Sequence, residues 1–324
     1  MGTKKFIKER SLTATAIMMF LIVVVFVVGY LQIGNLIDAR CVRRMEEGVD
    51  TALDEVLGKL NRDSQILNAA AEILASTDYF DAAAMQDAIS SFAPMIETQR
   101  IYILLPDNTV IMPDGDRTEG TDDLDFNELA RLGEHVSNKT ISVADGNTPV
   151  LRHYVPIVQN GQTMAILYGV TRLEDLPNVL NIENIYNASA SVYIVDMQNS
   201  EFIMDTRHEQ LGDISEFSVR RTKGPVSWES TVENILSGET GSVLFLSARS
   251  GEWEYLYYRP AGINQWSVMI SVPRSEAFAN LFSIQWVFLV MGIVITLVFV
   301  EYYLWSRKNA MRTVAEAVEK ARLE

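Results

Sequence analysis

Two long apolar runs bracket a middle of mixed composition, and this layout predicts the architecture of the chain. The runs Leu12–Ile33 and Leu281–Val300 contain no charged residue. Each is about as long as the ~20 residues that a helix needs to cross a bilayer. The first run is too long for a signal-peptide core and is not followed by a small-residue cleavage site, so we expect it to be retained. The pattern predicts two membrane-spanning helices that flank a folded domain.

Directly after the first run, the apolar positions follow a helical period. No proline occurs between Gly34 and Ala75, and Leu53, Leu60, Leu67 and Leu74 recur every seven residues. The spacing predicts one long amphipathic helix. A sevenfold repeat suits packing against a second helix, such as that of another subunit. Packing of the helix on its own domain is the alternative, and opposite faces of one helix can do both.

After Pro94 the pattern changes to short strands separated by turns. The same order of predicted elements then occurs a second time. Each half predicts a strand, a turn, a second strand, a polar stretch, a helix and three further strands. In the first half the polar stretch is an acidic loop over Asp114–Asp125, and the helix covers Phe126–Leu132. A linking helix over about 173–186 separates the two halves. The repeated order predicts two similar α+β modules in tandem.

Charge gives the expected orientation. The first apolar run is preceded by Lys4, Lys5, Lys8 and Arg10, and the second is followed by Arg307, Lys308 and Arg312. Basic flanks favour the cytoplasmic side, so we expect both termini in the cytoplasm and the middle outside it. The net charge is −15 although both ends are basic, so the acidic excess lies in the middle. An acidic outer domain excludes nucleic acid as a natural partner and disfavours docking on an anionic membrane surface.

Few residues suggest catalytic or metal chemistry. The histidines His135, His153 and His208 have no metal-ligand spacing with one another or with the single cysteine, Cys41. We expect His208 to lie in a capped turn. Cys41 is either a small apolar residue on the helix or a bridge between two copies of the chain. Without a phosphate loop, nucleophile motif or dinucleotide fingerprint, we expect no catalytic residue, cofactor or metal, and whether the whole protein is an enzyme stays open.

Ligand binding is the more plausible activity, and one strand carries the best candidates. Side chains alternate along Pro149–Pro156, which places Arg152 and Tyr154 on one face. The other face is more apolar and is expected to meet the long helix. Tyr102 and Tyr168 can join the polar face from neighbouring strands. The fork of Arg152 suits a carboxylate, although a surface arginine paired with a nearby acid would read the same way.

Several segments resemble a known family of sensors. They are Leu151–Ile157, Leu167–Val170, Val192–Asp196, Met204–His208, Leu211–Asp213, Gly238–Gly241 and Trp266–Pro273. As a set, over about Ile37–Tyr303, they resemble the double Cache sensor domain of bacterial transmembrane receptors. The resemblance implies an α+β fold with two tandem PAS-like Cache modules, each built on an antiparallel sheet. Members that bind amino acids carry an Arg-x-Trp-Tyr-like stretch that this sequence lacks, so the ligand is left open.

The resemblance implies the following division of the chain. A cytoplasmic N-terminus (1–11) precedes the first membrane helix (12–33), an extracytoplasmic sensor (34–280), the second membrane helix (281–305) and the start of a cytoplasmic signalling helix (306–324). The sensor comprises the long helix (34–75), a distal module (76–172), the linking helix (173–186) and a proximal module (187–280).

The implied function is that of a homodimeric receptor in the bacterial plasma membrane. It would bind a small molecule in the distal module and signal through the second membrane helix. The residues near the end, Ala317–Glu324, resemble the linker before a histidine kinase dimerisation domain, which favours a sensor histidine kinase in a two-component system. A diguanylate cyclase, a chemoreceptor or a stand-alone membrane-anchored binding module are the alternatives.

Overall fold

The computed structural model describes residues 2–76, 87, 90–91, 99–121, 123–143, 146–180, 189–207, 212–277 and 282–323. The chain divides into two compact units. One comprises Met1–Arg43 together with Ala277–Glu324, and the other is Arg44–Glu276. His208, Leu211 and most of the second half of the expected linking helix lie outside the described residues.

Two long helices dominate the first unit, α1 (Gly2–Leu74) and α5 (Phe282–Leu323), of which α1 continues into the second unit. They touch at Gly292, where a Cβ atom would lie 3.0 Å from Cδ1 of Phe26. The missing side chain therefore makes room for the aromatic ring. Over the described part of the chain, no helix has the length and apolar character required of a candidate membrane span.

The first module of the second unit, the distal module, is built on a seven-stranded antiparallel sheet. Its strands are β1 (Gln99–Leu104), β2 (Thr109–Ile111), β3 (Arg117–Glu119), β4 (His135–Val136), β5 (Thr140–Ser142), β6 (Thr148–Gln159) and β7 (Gln162–Arg172). The order is β3-β2-β1-β7-β6-β4, and β5 also pairs with β6. A short helix, α2 (Phe126–Leu132), covers part of one face.

The second module, the proximal module, has a six-stranded antiparallel sheet in the order β10-β11-β12-β13-β8-β9. The strands are β8 (Ser191–Asp196), β9 (Phe202–Asp205), β10 (Val219–Thr222), β11 (Gly241–Ser247), β12 (Trp253–Pro260) and β13 (Trp266–Pro273). The helices are α3 (Trp228–Leu236), α4 (Arg274–Ala277) and the 3₁₀ helices Leu173–Val179 and Ile214–Glu216.

The heptad leucines of α1 are buried in their own chain. Leu67 and Leu74 pack with Ile103, Val155 and Leu167 on one face of the distal sheet. Leu53 and Leu60 are also buried. Towards the start of the second unit in the sequence, Asp50 of α1 forms an ion pair with Arg259 of β12. The long helix therefore lies on its own domain, which is the second of the two interpretations of its sevenfold repeat.

The two modules meet through polar contacts around the β12–β13 turn. Nδ2 of Asn264 donates to the carbonyl of Val136 over 2.8 Å, and Nε1 of Trp266 donates to Oδ1 of Asn138 over 2.9 Å. Lys139 pairs with Glu201 of the proximal module at 3.1 Å. Because Trp266 is fully buried, its hydrogen bond fixes the position of the distal module against a rigid part of the proximal sheet.

Some elements differ from the sequence prediction. The acidic stretch expected as a loop contains β3, an edge strand whose three residues are all exposed. It has no apolar alternation, so the hydrophobic pattern could not reveal it. The described start of the linking segment is a 3₁₀ helix with Pro177 inside it. Proline lacks the amide proton that an α-helix needs at that point, which explains the tighter turn.

The packing of α1 on the distal sheet can be tested with two deletions of similar size. Leu67 has no solvent exposure, whereas Ile73 is 52% exposed on the same helix. We expect Leu67→Ala to lower the free energy of unfolding by about 2–5 kcal/mol and Ile73→Ala to change it by about 0.5 kcal/mol or less. Denaturant unfolding of the purified chain measures both. Equal losses would show that α1 does not rest on the sheet through Leu67.

The contact between modules can be tested by a double-mutant cycle. Trp266→Phe removes the donor and Asn138→Ala removes the acceptor, so their coupling energy isolates the hydrogen bond from the cavities that each change leaves. We expect a coupling of about 0.5–1.5 kcal/mol, the usual net value of a neutral hydrogen bond. Strictly additive effects would contradict the contact.

Candidate functional site

The strand β6 presents the predicted residues on the face opposite α1. Val155 and Ile157 of β6 belong to the apolar cluster beneath α1, whereas Val150 and Tyr154 belong to the cluster beneath α2. Arg152 lies between the latter two in the alternation, so it shares the α2 side. The period-2 pattern thus assigned the two faces correctly.

Three tyrosines form a row across adjacent strands of this face. Tyr102 of β1 is directly opposite Tyr168 of β7, which is directly opposite Tyr154 of β6. The ring centroids of Tyr102 and Tyr168 are 5.2 Å apart with nearly parallel planes, and those of Tyr154 and Tyr168 are 5.6 Å apart. Such cross-strand aromatic pairs contribute about 0.5–1.5 kcal/mol each beyond their burial. The structure brings together all three tyrosines named from the sequence.

Arg152 lies next to this row and is only 3% exposed. Its guanidinium carbon is 6.0 Å from the ring centroid of Tyr168. One terminal nitrogen donates to Asp123 and the other to the carbonyl of Ile141 over 3.3 Å. The sequence suggested either a ligand-binding arginine or a surface arginine paired with an acid. The structure shows the paired acid, Asp123, but it buries the arginine instead of exposing it. A buried guanidinium needs such a partner, because an unpaired buried charge is costly.

Asp123 is the ionic partner of Arg152. Sequence reasoning placed it in the acidic loop and did not identify it as part of the site. The residue lies between β3 and α2 and accepts hydrogen bonds from Thr121, Thr140 and Arg152. Spacing alone could not single it out among the neighbouring acids. Only the fold shows which carboxylate reaches the arginine.

Local backbone contacts hold this segment in place. Oδ1 of Asn108 accepts from the amide of Phe126 over 2.9 Å, and Asp125 caps the start of α2 by accepting from the amide of Glu128. The amide of Gly120 donates to the carbonyl of Asn108, and a Cβ on this glycine would lie 2.6 Å from that oxygen. Glycine is therefore required where the segment crosses the β1–β2 turn.

The surroundings of Asp123, Tyr154 and Tyr168 determine the ionisation state of each side chain. Burial works against ionisation of Asp123, but the hydrogen bonds from Thr121 and Thr140 and the charge of Arg152 hold its pKa below the usual range. Burial raises the pKa of Tyr154 and Tyr168, so both keep their hydroxyl protons at neutral pH. The face therefore offers one cation, one ionised carboxylate and neutral aromatic hydroxyls, which suits binding of a polar molecule better than acid–base catalysis.

A cavity lies elsewhere, between the modules. It has a volume of about 510 Å³ and is lined by residues of both, among them Lys139, Pro149, Glu174, Phe202 and Asp205. None of the four residues named from the sequence lines it. Sequence reasoning had no signal for this cavity, since its walls come from segments that are far apart in the chain.

Comparison with known proteins identifies the fold. A family model described as a Cache domain, dCache_1, matches residues 35–281. No curated protein matches the sequence. The matched range contains the whole second unit, which comprises the last part of α1 and both modules.

Solved structures of sensory domains have the same fold at low sequence identity. The sensory domain of the Campylobacter jejuni chemoreceptor Tlp3 with isoleucine bound has a TM-score of 0.54 at 11% identity, covering 75% of this chain and 96% of that one. The ligand-binding domain of the Pseudomonas aeruginosa PAO1 amino acid chemoreceptor PctB, in complex with L-Gln, has a TM-score of 0.51 at 15% identity, with coverage of 73% and 93%.

The extracellular domain of the putative histidine kinase mmHK1S-Z2 has a TM-score of 0.50 at 15% identity, with coverage of 73% and 98%. Sensory domains of both chemoreceptors and a histidine kinase therefore share this architecture, and the fold alone does not distinguish between their outputs. The family match, the long N-terminal helix and the two antiparallel sheets lead to one conclusion: the chain belongs to the double Cache family of sensor domains.

Proposed function

We propose that the chain is the ligand-sensing part of a homodimeric receptor in the bacterial plasma membrane. In this proposal, residues 12–33 and 281–305 cross the membrane and 34–280 face the outside. A small molecule binds in the distal module at Arg152, Tyr154, Tyr102 and Tyr168. The single observation that carries the proposal is the buried cation of Arg152 beside the row of three tyrosines, on the sheet face that is not covered by α1.

The chemistry of this face favours a ligand with an anionic group. Arg152 is held by Asp123, a protein carboxylate that stands where a ligand carboxylate could bind. Asp123 is 41% exposed, so it can be displaced toward solvent at modest cost, whereas Arg152 is fixed in the sheet. A ligand that replaces Asp123 would free the segment between β3 and α2. Binding would thereby favour one of two arrangements of the module.

Transmission is proposed to follow the proximal module into α5. The polar contacts of Asn264 and Trp266 join the modules, and α5 is continuous from Phe282 to Leu323. A small shift or rotation at the start of this helix would be carried along it, as in other receptors that signal through helix displacement.

We infer a sensor histidine kinase as the output, supported by the residues near the end of α5 that resemble the linker before a histidine kinase dimerisation domain. A diguanylate cyclase, a chemoreceptor and a stand-alone membrane-anchored binding module are the alternatives. The homodimer would use the surface of α1 and the signalling helix.

Ligand binding is tested by thermal unfolding of the detergent-solubilised chain with amino acids and small organic acids. A compound that binds only the folded state raises the melting temperature in a saturable way. We expect Arg152→Gln to weaken such a compound about 10- to 100-fold, since hydrogen bonds to charged groups contribute about 1.5–3 kcal/mol.

Arg172 provides the matched control, because it lies on the adjacent strand and is 39% exposed beside Glu174. We expect Arg172→Gln to leave the affinity unchanged. A compound that stabilises the Arg152→Gln variant as well as the original protein would exclude this site for that ligand.

Topology is tested by labelling with a membrane-impermeant maleimide in intact cells. In a Cys41→Ala background, single cysteines replace two exposed residues, Thr240 in the proximal module and Lys308 on α5. We expect the Thr240→Cys variant to react in intact cells and the Lys308→Cys variant to react only after permeabilisation. Labelling of both, or of Lys308→Cys alone, would overturn the proposed orientation.

A further inference from the structure

The face of β6 that meets α1 carries one buried ionisable side chain, that of His153. The imidazole is 5% exposed and belongs to a strand position directly opposite Gly169 of β7 and Val136 of β4. Among the described residues, its Nδ1 is the one buried side-chain nitrogen or oxygen without a hydrogen-bond partner. Leaving such a group unsatisfied is energetically costly, so its presence calls for an explanation.

Ionisable groups of two elements act on this ring. Asp63 comes from α1, and Glu134 and His135 come from the start of β4. Both carboxylates are already engaged with α1. Asp63 holds Lys59 of the same helix at 3.0 Å, and Glu134 accepts a hydrogen bond from Ser64.

The environment favours the neutral ring. Burial is the main effect and lowers the pKa of His153, the carboxylates of Glu134 and Asp63 oppose this, and His135 adds to the lowering. An unfolded histidine takes up its proton near pH 6.5. The folded arrangement is therefore at full stability above that pH. It loses stability as the pH falls from the unfolded value to the lowered folded value, because the unfolded chain binds more protons in that window.

We propose that His153 is a proton-binding site whose protonation loosens α1 from the distal sheet. An imidazolium has two N–H donors, and the nearby acceptors with a negative charge are Asp63 and Glu134. Protonation places a positive charge on a buried ring on the sheet face that meets α1, where water cannot solvate it. Arrangements in which α1 lies further from β6 let water reach the imidazolium, so protonation favours them.

This inference does not depend on the proposed ligand site. His153 and Arg152 are neighbours in sequence, but their side chains lie on opposite faces of β6. The receptor would therefore respond to acidity through α1 and to its ligand through the segment between β3 and α2. The function added by His153 is the sensing of proton concentration on the side of the membrane that the domain faces.

The test is hydrogen exchange of the detergent-solubilised full chain at pH 7.5 and 5.5, corrected for the intrinsic pH dependence of exchange. Protection of residues 59–74 in α1 should fall at the lower pH by at most about tenfold, because pH 5.5 lies only about one unit below the pKa of an unfolded histidine. The variants His153→Gln and His153→Met should lose at least half of this pH dependence. The control His208→Gln removes a histidine that is not among the groups acting on the His153 ring, and it should keep the pH dependence.

Two outcomes would overturn the proposal. One is protection of 59–74 in the original chain that does not change with pH. The other is a pH dependence that survives undiminished in both His153 variants. If both His153 variants fail to fold, nuclear magnetic resonance of ¹³C-labelled histidine decides. Spectra of His135→Gln and His208→Gln identify the His153 signal, and titration at or above the ordinary histidine value would refute the site.

Discussion

The burial of one apolar stripe of α1 is the constraint on which the rest of the sensor depends. Leu67, Ala71 and Leu74 cover the distal sheet, and an ion pair from Asp50 ties the same helix to the proximal module. The same helix therefore contacts both modules. At roughly 1.5–3 kcal/mol for each fully buried aliphatic side chain, this stripe is also a major source of stability.

Occupation of one face of the distal sheet by α1 determines where chemistry can occur. A central strand of an antiparallel sheet has two faces, and α1 covers one of them. The other face holds Arg152 and the three tyrosines, under a segment that supplies Asp123. The buried arginine is tolerated because the segment brings a carboxylate to it. The position of Asp123 is thus a consequence of burying Arg152.

The sequence predicted the features that have a strong local signal. The period of seven in α1, the alternation along β6 and the short helix over Phe126–Leu132 were predicted from the residue pattern, and each matches the structure. The features that escaped depend on distant residues. The exposed strand β3 exists because β2 offers a pairing edge, and Asp123 meets Arg152 only after the strands have been ordered. The cavity between the modules likewise has walls from separate segments.

Strand β6 carries residues of the two proposed binding sites at adjacent positions. Arg152 faces the tyrosines and His153 faces α1, so only the thickness of the sheet separates the proposed ligand and proton sites. The strand itself is the physical connection between the two proposed sites. A ligand that pulls on Arg152 would shift the backbone of His153, and a change in the seating of α1 would be felt at Arg152. By linkage, a ligand that binds more tightly to the form with neutral His153 must lower the proton affinity of that histidine by the same factor.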